Sequence, residues 1–313
     1  MNDLIKRYLS GDHRALSRFI SYVEDEVNHV SELLDQVYYR TGNAYRIGIT
    51  GPPGAGKSTI VDQLTKLYRK QEKTVGIIAV DPTSPFTGGA LLGDRIRMGD
   101  LATDPGVFIR SMATRGSLGG LAQRTHEVAD LLDAFGFDIV IFETVGVGQS
   151  ELDVVEAADS TVVVLVPESG DSIQAMKAGL MEIADIFAIN KSDREGADRV
   201  VLEVQYVLEF STNSRPWKPP IVQTIANTGK GIDSLRQSLE NHLAFQNRHQ
   251  IRIEKQKKRI ENYVRQIITD NILKSFWQPA QVEKLSVQIE QILNKKRSPY
   301  AVSKELIEQF KNG

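Results

Sequence analysis

The chain has 313 residues, of which 41% are hydrophobic and 25% are charged, as in globular proteins that bury a core. It contains no cysteine, which excludes a disulfide framework, a thiol nucleophile and any site built from cysteine ligands. The longest purely apolar run, Val162–Val166, is far too short to cross a membrane, and the charged N-terminal sequence lacks the apolar core of a secretion signal. These features predict a cytoplasmic protein without a membrane segment.

The net charge of −2 hides an uneven distribution along the chain. Residues 248–313 hold 14 Lys and Arg against 7 Asp and Glu, a balance of +7, whereas the rest holds 24 against 33, a balance of −9. A basic tail on an acidic body suits nucleic acid, a membrane surface or a partner protein, and it also suits a solvated helical arm.

Hydrophobic periodicity divides the chain into three parts. Spacings of three and four predict an N-terminal helical segment over residues 1–43, with a packing role. Residues 44–247 alternate short β-branched runs with helical stretches, which predicts a doubly wound, mostly parallel α/β sheet. Residues 248–313 predict a helical arm whose apolar stripes, separated at Pro279, need cover from the body or from another copy. The predicted strands are Tyr45–Thr50, Thr74–Val80, Val107–Ser111, Phe137–Phe142, Thr161–Val166, Ile186–Ile189 and Ile221–Ile225.

A phosphate-binding loop follows the first predicted strand. The sequence GPPGAGKST, residues 51–59, has Gly51, Gly56, Lys57 and Ser58 in the pattern of such a loop. The glycines let main-chain N–H groups surround a β-phosphate, Lys57 reaches the β- and γ-phosphates, and Ser58 offers a hydroxyl to Mg²⁺. The position between a strand and an amphipathic helix argues against a chance match.

A guanine-reading loop follows the predicted strand Ile186–Ile189. The sequence NKSD places Asn190 and Lys191 where they can flank a base, and the Asp193 carboxylate can accept two N–H bonds that guanine offers and adenine does not. An Asx turn is the alternative for an isolated Asn-Lys pair, but the position after a phosphate loop favours base recognition. Ala226 and Asn227, after the last predicted strand, would supply a main-chain N–H to guanine O6.

Two further loops predict groups around the γ-phosphate and its metal. Glu143, after Phe137–Phe142, stands where the acid that holds a Mg²⁺-bound water is expected, and Gly146 can bring its N–H to the γ-phosphate. Asp81 and Asp94 can bind magnesium-bound waters or orient the attacking water, and helix capping is the competing role, weighing equally for Asp94. Val147 follows Gly146 where Ras-like GTPases have a catalytic Gln, so we expect slow intrinsic hydrolysis.

Together these motifs resemble the MeaB/ArgK family of P-loop GTPases, which accompany adenosylcobalamin-dependent acyl-CoA mutases, chiefly methylmalonyl-CoA mutase. The resemblance extends over nearly the whole chain and is carried, in order, by GPPGAGKST, VDPTSPFTGGALLGDRIRM, FIRSMATRGSLGGLA, FETVGVGQSE, VPESGDSIQAMKAG and NKSD. It implies a GTPase domain of the signal-recognition and MinD-like class with a C-terminal dimerisation arm, and hence a homodimer. It also implies GTP-gated loading of adenosylcobalamin into the mutase and protection of the mutase.

The resemblance also implies roles for individual residues. It places Lys57, Asp81, Asp94 and Lys177 in catalysis, and it places a mobile third-switch loop around Asp171 and Lys177. The hypothesis is that Lys177, or an arginine such as Arg110, approaches the γ-phosphate when the partner binds. The implied contacts to GTP or GDP are Gly51, Gly54, Ala55, Gly56, Lys57, Ser58, Thr59, Gly146, Asn190, Lys191, Asp193, Ala226 and Asn227, and the implied Mg²⁺ neighbours are Ser58, Asp81, Asp94 and Glu143.

Three other functions fit the motifs less well. A metallochaperone GTPase needs His or Cys clusters, and the five histidines here have no ligand spacing. A GTP-dependent nucleic-acid scaffold would use the basic tail, but its apolar stripes favour helix pairing. An ATPase coupled to transport of basic amino acids is disfavoured by Asp193, which suits guanine.

Overall fold

The computed structural model describes residues 2–81, 99–113, 120–144, 156–169, 180–211 and 216–311. Within them, seven parallel strands form one sheet in the order β3-β2-β4-β1-β5-β6-β7. Strands β2, β3 and β4 lie on one side of central β1, and β5, β6 and β7 lie on the other. The fold is therefore of the predicted doubly wound α/β class. The strands are β1 Tyr45–Thr50, β2 Val75–Asp81, β3 Val107–Ala113, β4 Ile139–Thr144, β5 Ser160–Leu165, β6 Ile186–Ile189 and β7 Ile221–Gln223.

Helices cover both faces of this sheet. On one face, Ile47 and Ile49 of β1 pack in a buried cluster with residues of α4 and α8. On the other face, Val140 and Phe142 of β4 lie in a cluster with residues of α1, α2, α3 and α5. The helices are α1 Asn2–Leu9, α2 His13–Glu24, α3 Val30–Tyr38, α4 Lys57–Lys70, α5 Gly120–Phe135, α6 Leu180–Ile183, α7 Ala197–Ser211, α8 Ile232–Arg248, α9 Ile251–Phe276, α10 Pro279–Leu293 and α11 Pro299–Lys311.

The N-terminal helical stretch is three helices because two short turns interrupt it. Asp12 ends the first turn, and its carboxylate accepts the N–H groups of Arg14 and Ala15 at 2.8 and 3.3 Å. This is a helix N-cap, which supplies an acceptor to N–H groups that have none inside the helix. Hydrophobic spacing continues across such a turn, so periodicity alone does not reveal the break.

The entry into β1 is fixed by a buried carboxylate of α5. Asp133 accepts the N–H groups of Gly42, Asn43 and Ala44 at 2.8, 3.0 and 2.9 Å. The Arg46 guanidinium lies 3.3 Å from the same carboxylate and 2.6 Å from that of Asp130. Because the chain is held here, β1 delivers the loop that follows it to a defined place at the carboxyl edge of the sheet.

The chain forms two compact units, residues 1–255 and residues 256–313, and the boundary between them falls inside α9. In the second unit, α10 and α11 contact each other, and the Phe276 ring meets the Phe310 ring edge-on with centroids 5.2 Å apart. Val302 and Leu306 are buried. In the described part of the chain, every helix is too short or too polar to cross a membrane.

Candidate nucleotide-binding site

The phosphate loop leaves β1 at Gly51 and enters α4 at Lys57. Gly51 has φ +140°, and a Cβ there would lie 2.2 Å from the Val164 carbonyl oxygen of β5. Gly56 has φ +88°, and a Cβ there would lie 2.4 Å from Asn190 Nδ2. Any side chain at either position would displace a neighbour and strain the backbone. The sequence therefore needs glycine at both ends of this loop.

Lys57 lies inside the loop and is buried. Its Nζ donates to the carbonyl oxygens of Gly51 and Pro52 at 2.8 and 2.9 Å. A buried ammonium group needs such acceptors because its desolvation is otherwise unfavourable. The cation is thereby held at the centre of the loop, where oxygen atoms of a phosphate can replace or join the two carbonyls.

Ser58 and Glu143 bring two oxygen donors together beside this loop. The Ser58 hydroxyl donates to Glu143 Oε1. Glu143 is buried on β4, in register with Ile49 of β1. A hydroxyl and a carboxylate fit Mg²⁺, which takes one or two protein oxygens together with phosphates and waters. Among the described residues, no group of three or more His, Asp or Glu could hold a metal alone.

Asn190 joins the phosphate loop to the loop after β7. Its Nδ2 donates to the Ala55 carbonyl at 2.8 Å, and its Oδ1 accepts the Ala226 N–H and the Thr224 hydroxyl, both at 3.1 Å. The side chain is buried. The sequence assigned Asn190 to the side of a base, and the structure shows in addition that it connects three segments of the site.

The rest of the NKSD loop turns toward solvent. Lys191 has φ +57°, and its carbonyl accepts the Arg194 N–H at 3.0 Å. The Ser192 N–H donates to the Thr224 carbonyl at 3.1 Å. This turn leaves Asp193 exposed at the carboxyl end of β6. The carboxylate can therefore accept from a ligand without first leaving a buried partner.

A strand, a glycine loop and a helix, followed later by this asparagine and aspartate, are typical of a guanine-nucleotide site. Comparison with known proteins shows the family to which the chain belongs. A family model described as methylmalonyl-CoA mutase-associated GTPase MeaB matches residues 16–281. The chain belongs to the MeaB family.

Individual relatives agree with the MeaB assignment. A protein of Pyrococcus horikoshii named as a GTPase is 47% identical over 99% of this chain and 98% of its own length. The GTPase ArgK of Escherichia coli is 38% identical over 74% of this chain and 72% of its own. The mouse mitochondrial methylmalonic aciduria type A homologue is 34% identical over 86% of this chain and 66% of its own.

A solved structure extends the likeness to three dimensions. The crystal structure titled LAO/AO transport system kinase superposes with a TM-score of 0.73 at 26% identity, covering 99% of this chain and 97% of that one. The MeaB-family assignment and the P-loop fold make this chain a GTPase that binds guanine nucleotides.

Several predicted site residues of this MeaB-family chain are outside the described part. Asp94, Gly146 and Lys177 lie in the ranges 82–98, 145–155 and 170–179, and Asp171 lies beside Lys177. Asp81 is the last residue of β2, in register with Ala113, and its backbone alone is described. Their predicted roles in catalysis, switching and magnesium binding stay predictions.

Arg110 has partners on helix α2. It lies in the middle of β3, where its Nε donates to Glu24 Oε1 at 3.1 Å and its Nη2 donates to the Ser21 hydroxyl at 3.1 Å. The nitrogen that donates to Ser21 also donates to Glu24 Oε2. An approach of Arg110 to a γ-phosphate would first have to break this ion pair.

Three threonines beside the site are not among the residues predicted from the sequence. Thr224 donates to Asn190 as described, and the Thr144 hydroxyl donates to the Thr50 hydroxyl oxygen at 3.1 Å. All three are buried. Thr50 and Thr144 end β1 and β4, so comparison of polar residues at neighbouring strand ends would have found this pair.

Proposed function

We propose that this MeaB-family GTPase gates the loading of adenosylcobalamin into an acyl-CoA mutase of the methylmalonyl-CoA mutase type, and protects that mutase. The observation that carries the proposal is the family match over residues 16–281, whose description names association with this mutase. The mouse relative is named for methylmalonic aciduria, in agreement with a partner of this substrate class. Such a partner fits the cytoplasmic location predicted from the sequence.

The described loops would hold the nucleotide in a defined order. The loop from Gly51 through Gly54, Ala55 and Gly56 to Lys57 cradles the phosphates. The first turn of α4, which includes Ser58 and Thr59, adds the positive end of the helix dipole. Lys191 and Asp193 contact the base. The Ala226 N–H already donates to Asn190, so we assign the contact with guanine O6 to Asn227.

The metal in this proposal is Mg²⁺, which would neutralise charge on the β- and γ-phosphates during transfer to water. Ser58 would bind it directly, and Glu143 would hold one of its waters after releasing the Ser58 hydroxyl. Asp81 and Asp94 are proposed as further magnesium neighbours, and Lys57 and Lys177 as cations near the transferred phosphate.

Exchange of Asp193 for Asn tests base recognition. Guanine offers two donors, N1–H and the 2-amino group, whereas xanthine offers N1–H and a 2-carbonyl. An Asn side chain accepts from N1–H and donates to that carbonyl, so Asp193→Asn should prefer xanthosine diphosphate to GDP. We expect a change of preference of at least ~30-fold, from two altered hydrogen bonds of about 1–3 kcal/mol each. The measurement is competition against a fluorescent nucleotide, with Asp198→Asn, outside the loop, as a control; an unchanged preference would remove Asp193 from the base site.

Binding to the mutase tests the partner. Purified cofactor-free methylmalonyl-CoA mutase is mixed with the GTPase bound to GDP or to a non-hydrolysable GTP analogue. Complex formation and adenosylcobalamin uptake by the mutase are then measured. We expect a complex in at least one nucleotide state, and an uptake rate that depends on the nucleotide. Lys57→Ala should abolish the nucleotide dependence. If neither state yields a complex, this mutase is not the partner, while the GTPase assignment stands on its own evidence.

A further inference from the structure

We propose that Thr144 and Thr50 form a tether that positions Glu143 against Ser58 for GTP hydrolysis. Main-chain pairing between β1 and β4 runs from Tyr45 opposite Ile139 to Ile49 opposite Glu143 and goes no further. At the next position the Thr144 hydroxyl donates to Thr50 Oγ1 at 3.1 Å. The side-chain bond therefore continues the pairing by one residue, where the main-chain ladder stops.

The two strands separate at this point. Thr50 is still paired with Val163 of β5, on the far side of β1, and Gly51 then passes against the Val164 carbonyl. Thr144 is still paired with Val80 of β2, on the far side of β4. Each strand end is thus held by its outer neighbour, and the threonine bond spans the gap between them.

The separating ends carry the two groups that must meet. β1 leads through the phosphate loop to Ser58, and β4 carries Glu143 as the residue before Thr144. A shift of one strand end by a fraction of an ångström would lengthen the Ser58–Glu143 contact, because hydrogen bonding and metal coordination both have narrow distance ranges. The tether resists this shift.

The tether acts from the opposite face of the sheet. Side chains alternate along a strand, so Glu143 points with Ile141 toward the α4 face, and Thr144 points with Phe142 toward the α5 face. Thr50 and Thr144 are both fully buried. They are positioning residues because the sheet separates them from the side where Ser58 and Glu143 meet.

Three variants separate positioning from stability. Thr144→Val keeps the shape but leaves the buried Thr50 hydroxyl without its donor, so it should lose both stability and activity. The double variant Thr50→Val/Thr144→Val replaces both partners by apolar groups, so stability should recover. The tether is absent in both. Thr144→Ser keeps the hydroxyl, so it should retain the tether and the activity of the wild type.

The measurements are thermal stability, kcat and KM for GTP, and fluorescent-GDP affinity against Mg²⁺ concentration. In Thr144→Val and in the double variant, we expect kcat to fall and the Mg²⁺ concentration for half-maximal tightening of GDP to rise. Each change should be about three- to tenfold, the effect of one buried hydrogen bond, with KM nearly unchanged. Thr65→Val is the control, because the buried Thr65 hydroxyl on α4 has no hydrogen-bond partner among the described residues.

The inference rests on the proposed magnesium site, and the outcomes separate the two. If the GDP affinity of the wild type does not depend on Mg²⁺ concentration, the proposed metal site is wrong. The kcat of the double variant would still test the tether. Recovery of kcat together with stability in the double variant would overturn the tether and leave the two threonines as packing residues. A double variant that is stable but slow, with Thr144→Ser close to wild type, supports it.

Discussion

At the scale of single residues, Asn190 fixes the distance between the phosphate loop and the NKSD loop, residues 190–193. One amide group donates to Ala55 and accepts from Ala226 and Thr224, so three segments share one side chain. Because Asn190 is buried, these bonds are not exchanged readily with water. The distance between the two loops is therefore set in the protein itself.

Asn190→Asp tests this connection with almost no change of shape. The new carboxylate still accepts from Ala226 and Thr224, but it places an oxygen against the Ala55 carbonyl, where Nδ2 donated. We expect a loss of about 1–3 kcal/mol of unfolding free energy and at least ~tenfold weaker GDP binding. Urea unfolding without nucleotide and a GDP titration measure the two effects.

Asn43→Asp is the matched control for this variant. Asn43 Nδ2 also donates to a main-chain carbonyl, that of Arg40 at 2.9 Å, but the side chain is exposed. Water can replace this bond, so the control should retain stability and nucleotide affinity. Wild-type behaviour of Asn190→Asp would show that the loops do not need the connection.

Residue type was predictable at this site and residue partners were not. The NKSD motif identified Asn190, but its partner Ala55 lies 135 positions earlier in the chain. A motif records which side chains a ligand needs. The contact with Ala55 depends on how two strand ends are brought together, which only the folded sheet determines.

At the scale of secondary-structure elements, apolar runs located all seven strands and misplaced some ends. The bounds of β1 and β6 agree with the prediction. The predicted Phe137–Phe142 is Ile139–Thr144, because Glu143 and Thr144 stay in register with Ala79 and Val80 of β2. Polar residues that end a strand at a functional edge break the apolar run although the ladder continues.

The junction of α8 with the amino-terminal edge of the sheet contains a buried histidine. His242 Nδ1 lies 2.7 Å from the Ser160 hydroxyl, to which the Tyr45 hydroxyl donates at 2.6 Å. When Tyr45 donates to Ser160, the Ser160 hydroxyl donates to Nδ1. The neutral imidazole then carries its proton on Nε2, which faces Asp185 Oδ1 at 3.4 Å. A protonated Nδ1 would reverse these bonds, and Tyr45 would donate instead to the Leu239 carbonyl at 3.0 Å.

This arrangement predicts a loss of stability in mild acid. Burial lowers the pKa of His242, opposed by Asp185 and Asp159 and assisted by Lys255, which lies 3.5 Å from Asp185. The folded pKa is below the unfolded value of 6.5, so the unfolded chain binds the proton first as the pH falls. The contribution of neutral His242 to stability is therefore present above 6.5 and is lost as the pH falls through the depressed folded value.

His242→Asn isolates this effect, because Asn keeps a polar atom near Ser160 and does not titrate. Unfolding free energies measured from pH ~7.5 to ~5 should fall more steeply in the wild type than in His242→Asn. The difference between the two curves cancels the other histidines. Parallel curves would mean that His242 does not change charge on unfolding in this range.

Tryptophan fluorescence gives a direct reading of the same charge. The Trp217 ring lies 4.8 Å from the His242 ring, centroid to centroid, and protonated imidazole quenches indole emission. The chain has two tryptophans, so Trp277→Phe leaves Trp217 as the only tryptophan. Emission should decrease in acid before unfolding, and His242→Asn should remove the decrease.

At the scale of the whole molecule, residues 256–313 bury little of their own apolar surface. Val302 and Leu306 are buried among the described residues of this unit, whereas Ile260, Val264, Ile268 and Ile272 on α9 are 45, 48, 52 and 55% exposed. A spacing of four residues forms one of the ridges through which helices pack against each other. We propose that a second copy of the chain covers this stripe, because the family resemblance of the sequence implied a C-terminal dimerisation arm.

Charge substitution on the stripe tests the proposed homodimer. Val264→Glu/Ile268→Glu would place two like charges where apolar contacts are expected, so we predict weaker association, with a dimer dissociation constant raised at least ~100-fold. Asn262→Glu is the control, since Asn262 is also exposed on α9 but lies off the stripe. Sedimentation equilibrium should show a dimer for the wild type and for Asn262→Glu, and a monomer for the double variant at the same concentration. A wild-type monomer, or a double variant that stays dimeric, would show that α9 does not pair with a second copy through this stripe. Intact GDP binding in each variant would exclude misfolding as the cause of a change in oligomeric state.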